Sequence, residues 1–565
     1  MCLLSAACGG GSGSGGPPPS VGAAGGTISA LGATLQVPAG AITSQVMVSF
    51  AAGSEVSFSG AQRVGDALKL GPDGTQFKTP ATLTLAFAAN RLPAGRSASE
   101  VVVLQRDDAT GSVKVLVQQS SSANTVTVRT GSFSTFQAAL IDLPIPQVAV
   151  LSSGSAVTAT QALNQFTAFT PSVSLGPIAI PDAPGLENLL FAGELSGTVR
   201  VLSLAADGAL SPLRSFTLES SLFAAGLSLS GLAIQDSATA LAWRSGTASE
   251  AVYAFDPRAA ASSSAVTKHD LSATTVSWPA GTLNSAGVDV GGSALQVTFP
   301  SGAVVSRGKL LVSSSNFDSS FNLNPGTVLR YDYDASTRAI SNRSTIATSH
   351  FNPTGLARLA TPQGELVLCT NTGKSTVGPG SVDVINAASG VVVARIDLAA
   401  RNATGPVVIS RDKRRGYLAS QNKAEVYTLD LSGIGSVASN TSTQALPSRL
   451  LGTYQLPATS SFKFISGLAL SHTGNFLYAV NFNESRLWVV DLIEGRIAAS
   501  VLGFQRSGLP SNFEGQANGL ALRAGQPGVD FTGPSLFVST INLKAADRVL
   551  ANVSVVIDSL SFNKH

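Results

Sequence analysis

A phrase of glycine, leucine and alanine returns along the C-terminal two thirds of this chain, and each return opens the same run of strand, turn, strand, turn and strand that ends near an aspartate. The clearest copy reads Ser466-Gly467-Leu468-Ala469-Leu470-Ser471, then Phe476-Leu477-Tyr478-Ala479-Val480-Asn481, then Arg486-Leu487-Trp488-Val489-Val490-Asp491-Leu492. A second runs from Ser410 through Tyr417-Leu418-Ala419-Ser420 to Val426-Tyr427-Thr428-Leu429-Asp430-Leu431, and its step from Ser410 to Asp430 equals the step from Ser471 to Asp491. Further copies open at Gly231-Leu232-Ala233, Gly355-Leu356-Ala357 and Gly519-Leu520-Ala521, with fainter ones around Leu189–Leu202 and Lys309–Asp332. Self-similarity at a period of about forty residues, with several short strands per unit, is what radially arranged blades produce. The copies predict an all-β propeller of about seven blades, with six to eight compatible with the pattern. Small Gly and Ala let the innermost strands converge near the axis. Asp430 and Asp491 are expected to end strands by accepting backbone N–H bonds from the turn that follows.

Composition agrees with sheet rather than helix. Only 12% of the 565 residues are charged, while 56 Gly and 27 Pro punctuate runs of Val, Ala, Ser and Thr, the mixture expected of β-branched strands and tight turns. Mean hydropathy is +0.26, yet no apolar run approaches the roughly 20 residues that cross a bilayer as a helix. The net charge of +3 comes from 36 basic and 33 acidic residues that are scattered rather than gathered, which argues against a nucleic-acid partner. The densest basic run, Arg411-Asp412-Lys413-Arg414-Arg415, falls where the repeat places a turn. Three cysteines, two of them in the first eight residues, exclude a disulfide framework, and Cys369 within Glu365–Thr370 reads as a buried, unreactive thiol.

The first residues, Met1-Cys2-Leu3-Leu4-Ser5-Ala6-Ala7-Cys8, are followed by Gly and Ser only through Gly16 and then by Pro17-Pro18-Pro19. This resembles the end of a bacterial lipoprotein signal peptide, in which small residues precede a cysteine that becomes the lipidated first residue. Leu4 lies one position earlier than that family's motif prefers, and a basic, apolar stretch is expected to precede Met1. The resemblance implies lipidation at Cys8 and a membrane partner reached through the lipid rather than a helix. The Gly/Ser run would then be a random-coil tether. Gly9, where Asp would signal inner-membrane retention, points to the outer membrane or cell surface. The alternative is an unlipidated N-terminus of small residues.

Residues 22–142 alternate apolar and polar positions in short runs, as in Val46–Phe50, Leu83–Phe87 and Val126–Val128, which predicts a small β-sandwich. Pro38-Ala39-Gly40-Ala41, Gly71-Pro72-Asp73-Gly74-Thr75-Gln76-Phe77 ahead of Pro80, and the closing Phe133-Ser134-Thr135-Phe136 resemble a ZU5-like domain. A His often found before that closing piece is replaced here by Gly131 or Ser132. Asp73, Asp107 and Asp108 lack the spaced oxygen ligands of a calcium site.

The expected organisation is therefore a signal end and tether over 1–21, the sandwich over 22–142, a linker and start of the ring over 143–187, and the propeller over 188–565. The blade phrase resembles the YVTN-type propellers of bacterial surface and periplasmic proteins, nearest at Asn475–Asn481. No nucleophile elbow, phosphate loop or dinucleotide fingerprint occurs in usable context. The four histidines, 269, 350, 472 and 565, show no paired ligand spacing. No cofactor is expected. The reading that follows is a lipid-anchored envelope scaffold that binds a protein or glycan. The alternative is a metal-dependent hydrolase or lactonase, for which Asn481, Asn483 and Glu484, with Asn371 on the same rim, are weak ligand candidates.

Overall fold

The computed structural model describes residues 19–141 and 166–502, apart from 59–60, 112, 117, 170–174, 182, 195–196, 206–209, 220–227, 246–249, 261–264, 298, 375–378, 459–462, 472–473, 483, 485 and 494, together with strands at 516–522, 534–541 and 553–558. The chain divides into two compact units at residue 142.

The first unit is a β-sandwich. One sheet runs in the order Val113–Leu116, Val102–Arg106, Thr135–Ile141, Leu68–Gly71 and Ser49–Ala52, with Ala61–Arg63 also paired to Thr135–Ile141. The other runs Ser120–Ser121, Thr125–Ser132, Gln76–Ala86, Ala33–Val37 and Gly26–Ala30. Alternation along Thr125–Ser132 turns Val126, Val128 and Thr130 inward, and Leu35, Leu83, Leu70, Val103, Phe136 and Leu140 meet them in one core. Phe133 stacks edge-on against Phe77 at 5.1 Å between centroids. Gln137, buried inside, accepts from the Val56 amide at 2.8 Å and donates to the Gly65 carbonyl at 3.0 Å, so a polar core side chain satisfies backbone that no strand pairs.

Among the described residues the second unit is a ring of seven blades, each a four-stranded antiparallel sheet, with a short fifth strand added in parallel to the edge of blade 4. Blades 1 to 4 and blade 6 take their four strands consecutively, and blade 5 does so apart from one excursion before its last strand. They begin at Leu175–Ala179, Ser228–Ile234, Pro300–Ser306, Pro353–Thr361, Ala403–Ile409 and Ile465–Leu470. Blade 7 combines Gln516–Leu522, Pro534–Ile541 and Val553–Asp558 with Phe166–Phe169 as its outermost strand, in register Phe166 to Val555 and Phe169 to Val553. Each first strand lies against the first strand of the next blade, and that of blade 7 returns to that of blade 1. The ring is thus closed by a strand that precedes every repeat.

Sheet stacks on sheet around the ring, so central strands are buried on both faces and read as continuous apolar runs. In Phe476–Asn481 every residue is buried, and in Arg486–Asp491 all but the first. One cluster joins Tyr417, Val426 and Tyr454 of blade 5 to Leu477, Trp488 and Val490 of blade 6, and comparable clusters bridge each successive pair from blade 1 to blade 5. In the repeated phrase, Gly355 and Gly467 stand against the inner strand of the next blade, while Gly231 makes room for the Trp243 ring of its own blade. A Cβ on Gly355 would lie 2.2 Å from the Gly405 carbonyl carbon of blade 5.

Two features interrupt the repeat. Between blades 2 and 3 the connector 271–299 carries its own hairpin, Thr275–Ser277 with Ala294–Gln296. Between the last two strands of blade 5 the chain crosses to blade 4 and lays Gln444–Ala445 parallel to Ala394 and Arg395. There Asn440 and Thr443 donate to the Val393 and Val392 carbonyls at 3.2 and 2.9 Å, which covers an otherwise open sheet edge.

Candidate interaction surface

Because each blade is a meander that starts at the axis, the second-to-third hairpins and the blade-to-blade connectors open on one rim, the upper; the remaining hairpins open on the other. Asn371 and Asn481 end second strands at the upper rim, yet both are fully buried rather than set on exposed loops. The ladder runs further than the turn signal of Asn suggests. Asn371 donates to Ser381 Oγ at 3.1 Å. Asn481 Oδ1 accepts the Glu484 amide at 2.8 Å, so it shapes its own turn. Glu484 stands with Arg486 Nε 3.3 Å from its carboxylate, a cation already where a metal would compete. Asn483 and Cys8 lie outside the described residues, as do His472 and His565. Among the described residues no group of three or more His, Cys, Asp or Glu converges.

The aspartates at the ends of third strands do what the sequence predicts. Asp256, Asp430 and Asp491 each accept the amide two residues on, at 2.9, 2.8 and 2.9 Å. In the basic turn, Asp412 accepts the Arg414 amide at 3.0 Å and Lys413 takes a left-handed φ of 59°. In the sandwich, Asp108 is held by Lys69 at 3.1 Å and Arg106 at 2.8 Å. Burial raises its carboxyl, but bonds from Arg106, Thr135 and Lys69 outweigh that and hold it below the usual range.

Hydroxyls tie the upper rim together between blades. Ser245 donates to the Pro300 carbonyl and Ser301 to that of Pro353, and Thr372 donates to the Ala403 carbonyl at 2.8 Å. Glu219 gathers Arg244 at 2.6 Å, Tyr253 at 2.7 Å and Lys268 at 3.3 Å, joining the connector after blade 1 to blade 2. Cys369 is buried as expected, and burial pushes its thiol well above the ordinary value. Opposite it across the strand pair lies Asp383, also fully buried. Its Oδ2 accepts the Ser349 amide at 2.8 Å, and burial raises its carboxyl despite that bond. Burial likewise lowers His269 and His350, which favours neutral imidazoles at pH 7.

Exposed apolar side chains of the ring are concentrated on two loops of the upper rim, the connector 271–299 and the second-to-third connection of blade 3, residues 315–326. The Ser285 amide donates to the Leu323 carbonyl, and the Leu323 amide donates to Ser285 Oγ, both at 2.8 Å. These loops expose Leu283 at 52%, Val288 at 57% and Phe321 at 73%, three of the four large exposed apolar side chains among the ring's described residues. Phe321 also has a φ of +60°, a left-handed backbone that disfavours bulky residues. Phe299, at φ +58°, stacks on Phe317 at 4.9 Å, and Phe317 on Phe321 at 6.4 Å. No periodic signal marks these loops, since they have no counterpart in other blades. On the lower rim, a surface pocket of about 240 Å³ is lined by Arg307, Glu365, Asn386 and Ser436.

The closed ring of stacked four-stranded sheets makes this an all-β protein that joins a β-sandwich to a seven-bladed β-propeller. No family model and no curated protein matches the chain. Many solved chains match by structure. One is the β-propeller domain of Cps50 (Swd1) from Myceliophteria thermophila, with a TM-score of 0.45 and 12% identity over 69% of this chain and 99% of that one. The assignment of fold rests on the strand pairing itself.

Proposed function

We propose that this is a lipid-anchored protein of a bacterial envelope, tethered through Cys8 at the outer membrane or cell surface, whose propeller is a binding scaffold for a protein or glycan. On this reading the sandwich is ZU5-like and the ring of the YVTN type. The observation that carries the scaffold reading is Phe321, a large apolar side chain held out to solvent in a backbone conformation that costs about 1–3 kcal/mol. Strain of that kind is retained where the surroundings over-determine it, and here two cross-tied loops do so. The anchor reading is supported by the residues around Cys8 alone.

Two measurements test the proposal. Cys8→Ser should move the protein from the membrane to the soluble fraction, and unchanged retention removes the anchor. A photo-crosslinking residue at position 321 in cells should give a discrete adduct that the same residue at Lys413, on the lower rim, does not. Equal silence at both positions removes the scaffold.

A further inference from the structure

We infer that the loops 271–299 and 315–326 form a docking site for a protein segment that sets an apolar side chain beside lysine or arginine. The inference rests on the scaffold reading and names the chemistry of the partner. The two loops contain Asp289 and Asp318 and no Lys, Arg, His or Glu, so their own formal charge is −2 in a chain whose net charge is +3. Asp318 stays ionised. Burial works upward on its carboxyl, but bonds from the Asn322 side chain and from the Asn322 and Ser320 amides prevail and hold it below the usual range. A basic partner would gain both steering and register from such a surface.

The same hydrogen bonds argue against a sugar. Recognition of hydroxyls needs polar side chains with donors and acceptors to spare. Asp318 receives three bonds from within its own turn. Asn284 Oδ1 accepts the Ala286 and Val288 amides at 2.9 and 3.0 Å, and Asp289 accepts the Gly291 amide at 2.9 Å. These groups spend much of their capacity on fixing the loops, and the large side chains that reach outward are Leu283, Val288 and Phe321, beside the exposed Asp289. The site is built in advance: the Asn324 amide donates to the Asn316 carbonyl at 3.0 Å, and Asn316 donates to Thr327 and to the Pro325 carbonyl at 3.0 and 2.9 Å. Ordering has largely been done before binding, which spares a partner that cost.

The test is selection of a phage-displayed random peptide library on the immobilised full-length protein, with a neutral oligosaccharide array in parallel. Peptides that pair apolar with basic residues should be enriched. Their affinity should fall at least tenfold on Phe321→Asn or on joint Leu283→Ser and Val288→Ser, and two- to fivefold on Asp289→Asn or when salt rises from 50 to 500 mM. Phe321→Asn should leave the urea midpoint unchanged or raised, since Asn adopts positive φ readily, and this separates lost binding from lost folding. Enriched peptides without basic residues, or binding indifferent to Phe321, overturn the inference. So does Phe321-dependent binding of neutral oligosaccharides. If the adduct from position 321 forms in cells while the selection fails, the scaffold stands and only the partner's chemistry is refuted. If neither occurs, both fall.

Discussion

Gly355→Ala places one methyl group where the inner strands of blades 4 and 5 cross. The added carbon would lie 2.2 Å from the Gly405 carbonyl carbon, 2.3 Å from the Pro406 nitrogen and 2.5 Å from the Gly405 oxygen. Carbon atoms in contact sit about 3.5–4.0 Å apart, so the overlap exceeds an ångström, and it is with backbone that no rotamer change can move. Overpacking of this kind costs about 1–3 kcal/mol, and alanine recovers up to ~1 kcal/mol of that through lower chain entropy in a strand. Contacts of 2.2–2.5 Å with backbone call for the upper end of that cost, so the net loss is about 2 kcal/mol, which at a urea m-value of about 3 kcal/mol/M moves the midpoint down by roughly 0.7 M. The assay is urea unfolding followed by tryptophan fluorescence. All three tryptophans, 243, 278 and 488, lie in the ring, so the sandwich is silent. Gly467→Ala is the graded control, because its carbon would meet the Leu520 Cβ at 3.0 Å and backbone only at 3.7 Å; it should cost less than half as much. A Gly355→Ala midpoint within ~0.1 M of the parent, or a larger loss at Gly467, would refute the claim that this glycine is demanded by blade convergence.

Asp383→Asn should stabilise the ring at pH 7. Burial raises the carboxyl of Asp383 in the folded state, so its ionised form opposes folding at high pH, and that penalty fades as pH falls through the raised value. The gap between variant and parent midpoints should therefore close between pH 7 and pH 4, and a gap that widens refutes the assignment. Deleting 166–169 should leave blade 7 with an open edge and make 553–558 a preferred site of limited proteolysis; an unchanged digestion pattern would show that the closing strand is dispensable. Dialysis against EDTA should leave the thermal midpoint within 1 °C, and a stoichiometric metal lost on Glu484→Gln would instead favour the hydrolase reading.

The blades were legible because their signals are local. Gly467-Leu468-Ala469 lies in an inner strand, Asp491 closes a third strand, and both facts follow from local sequence. Sandwich and ring were also distinguishable, since Thr125–Ser132 alternates with one wet face while Arg486–Asp491 is covered on both. Pairings made at a distance left no such trace. Phe166-Thr167-Ala168-Phe169 is too short to announce a strand whose partner stands at the other end of the unit, and Gln444–Ala445 pairs with a blade to which it does not belong. Cys369 was readable as buried, but its facing Asp383 was not, because cross-strand register decides that proximity. The candidate surface was the least legible part. Leu283, Val288 and Phe321 look like core residues by type, and only the fold shows them turned outward.

The clasp in blade 7 imposes an order on assembly. A nascent chain holds Phe166–Phe169 from early on, yet that segment has nothing to pair with until Val553–Asp558 emerges. Six blades and the two inner strands of the seventh can stack meanwhile, but the outer half of that blade stays unformed. Any product cut short ahead of the last strand keeps a raw edge there, ready for a protease or for another unfinished copy to seize.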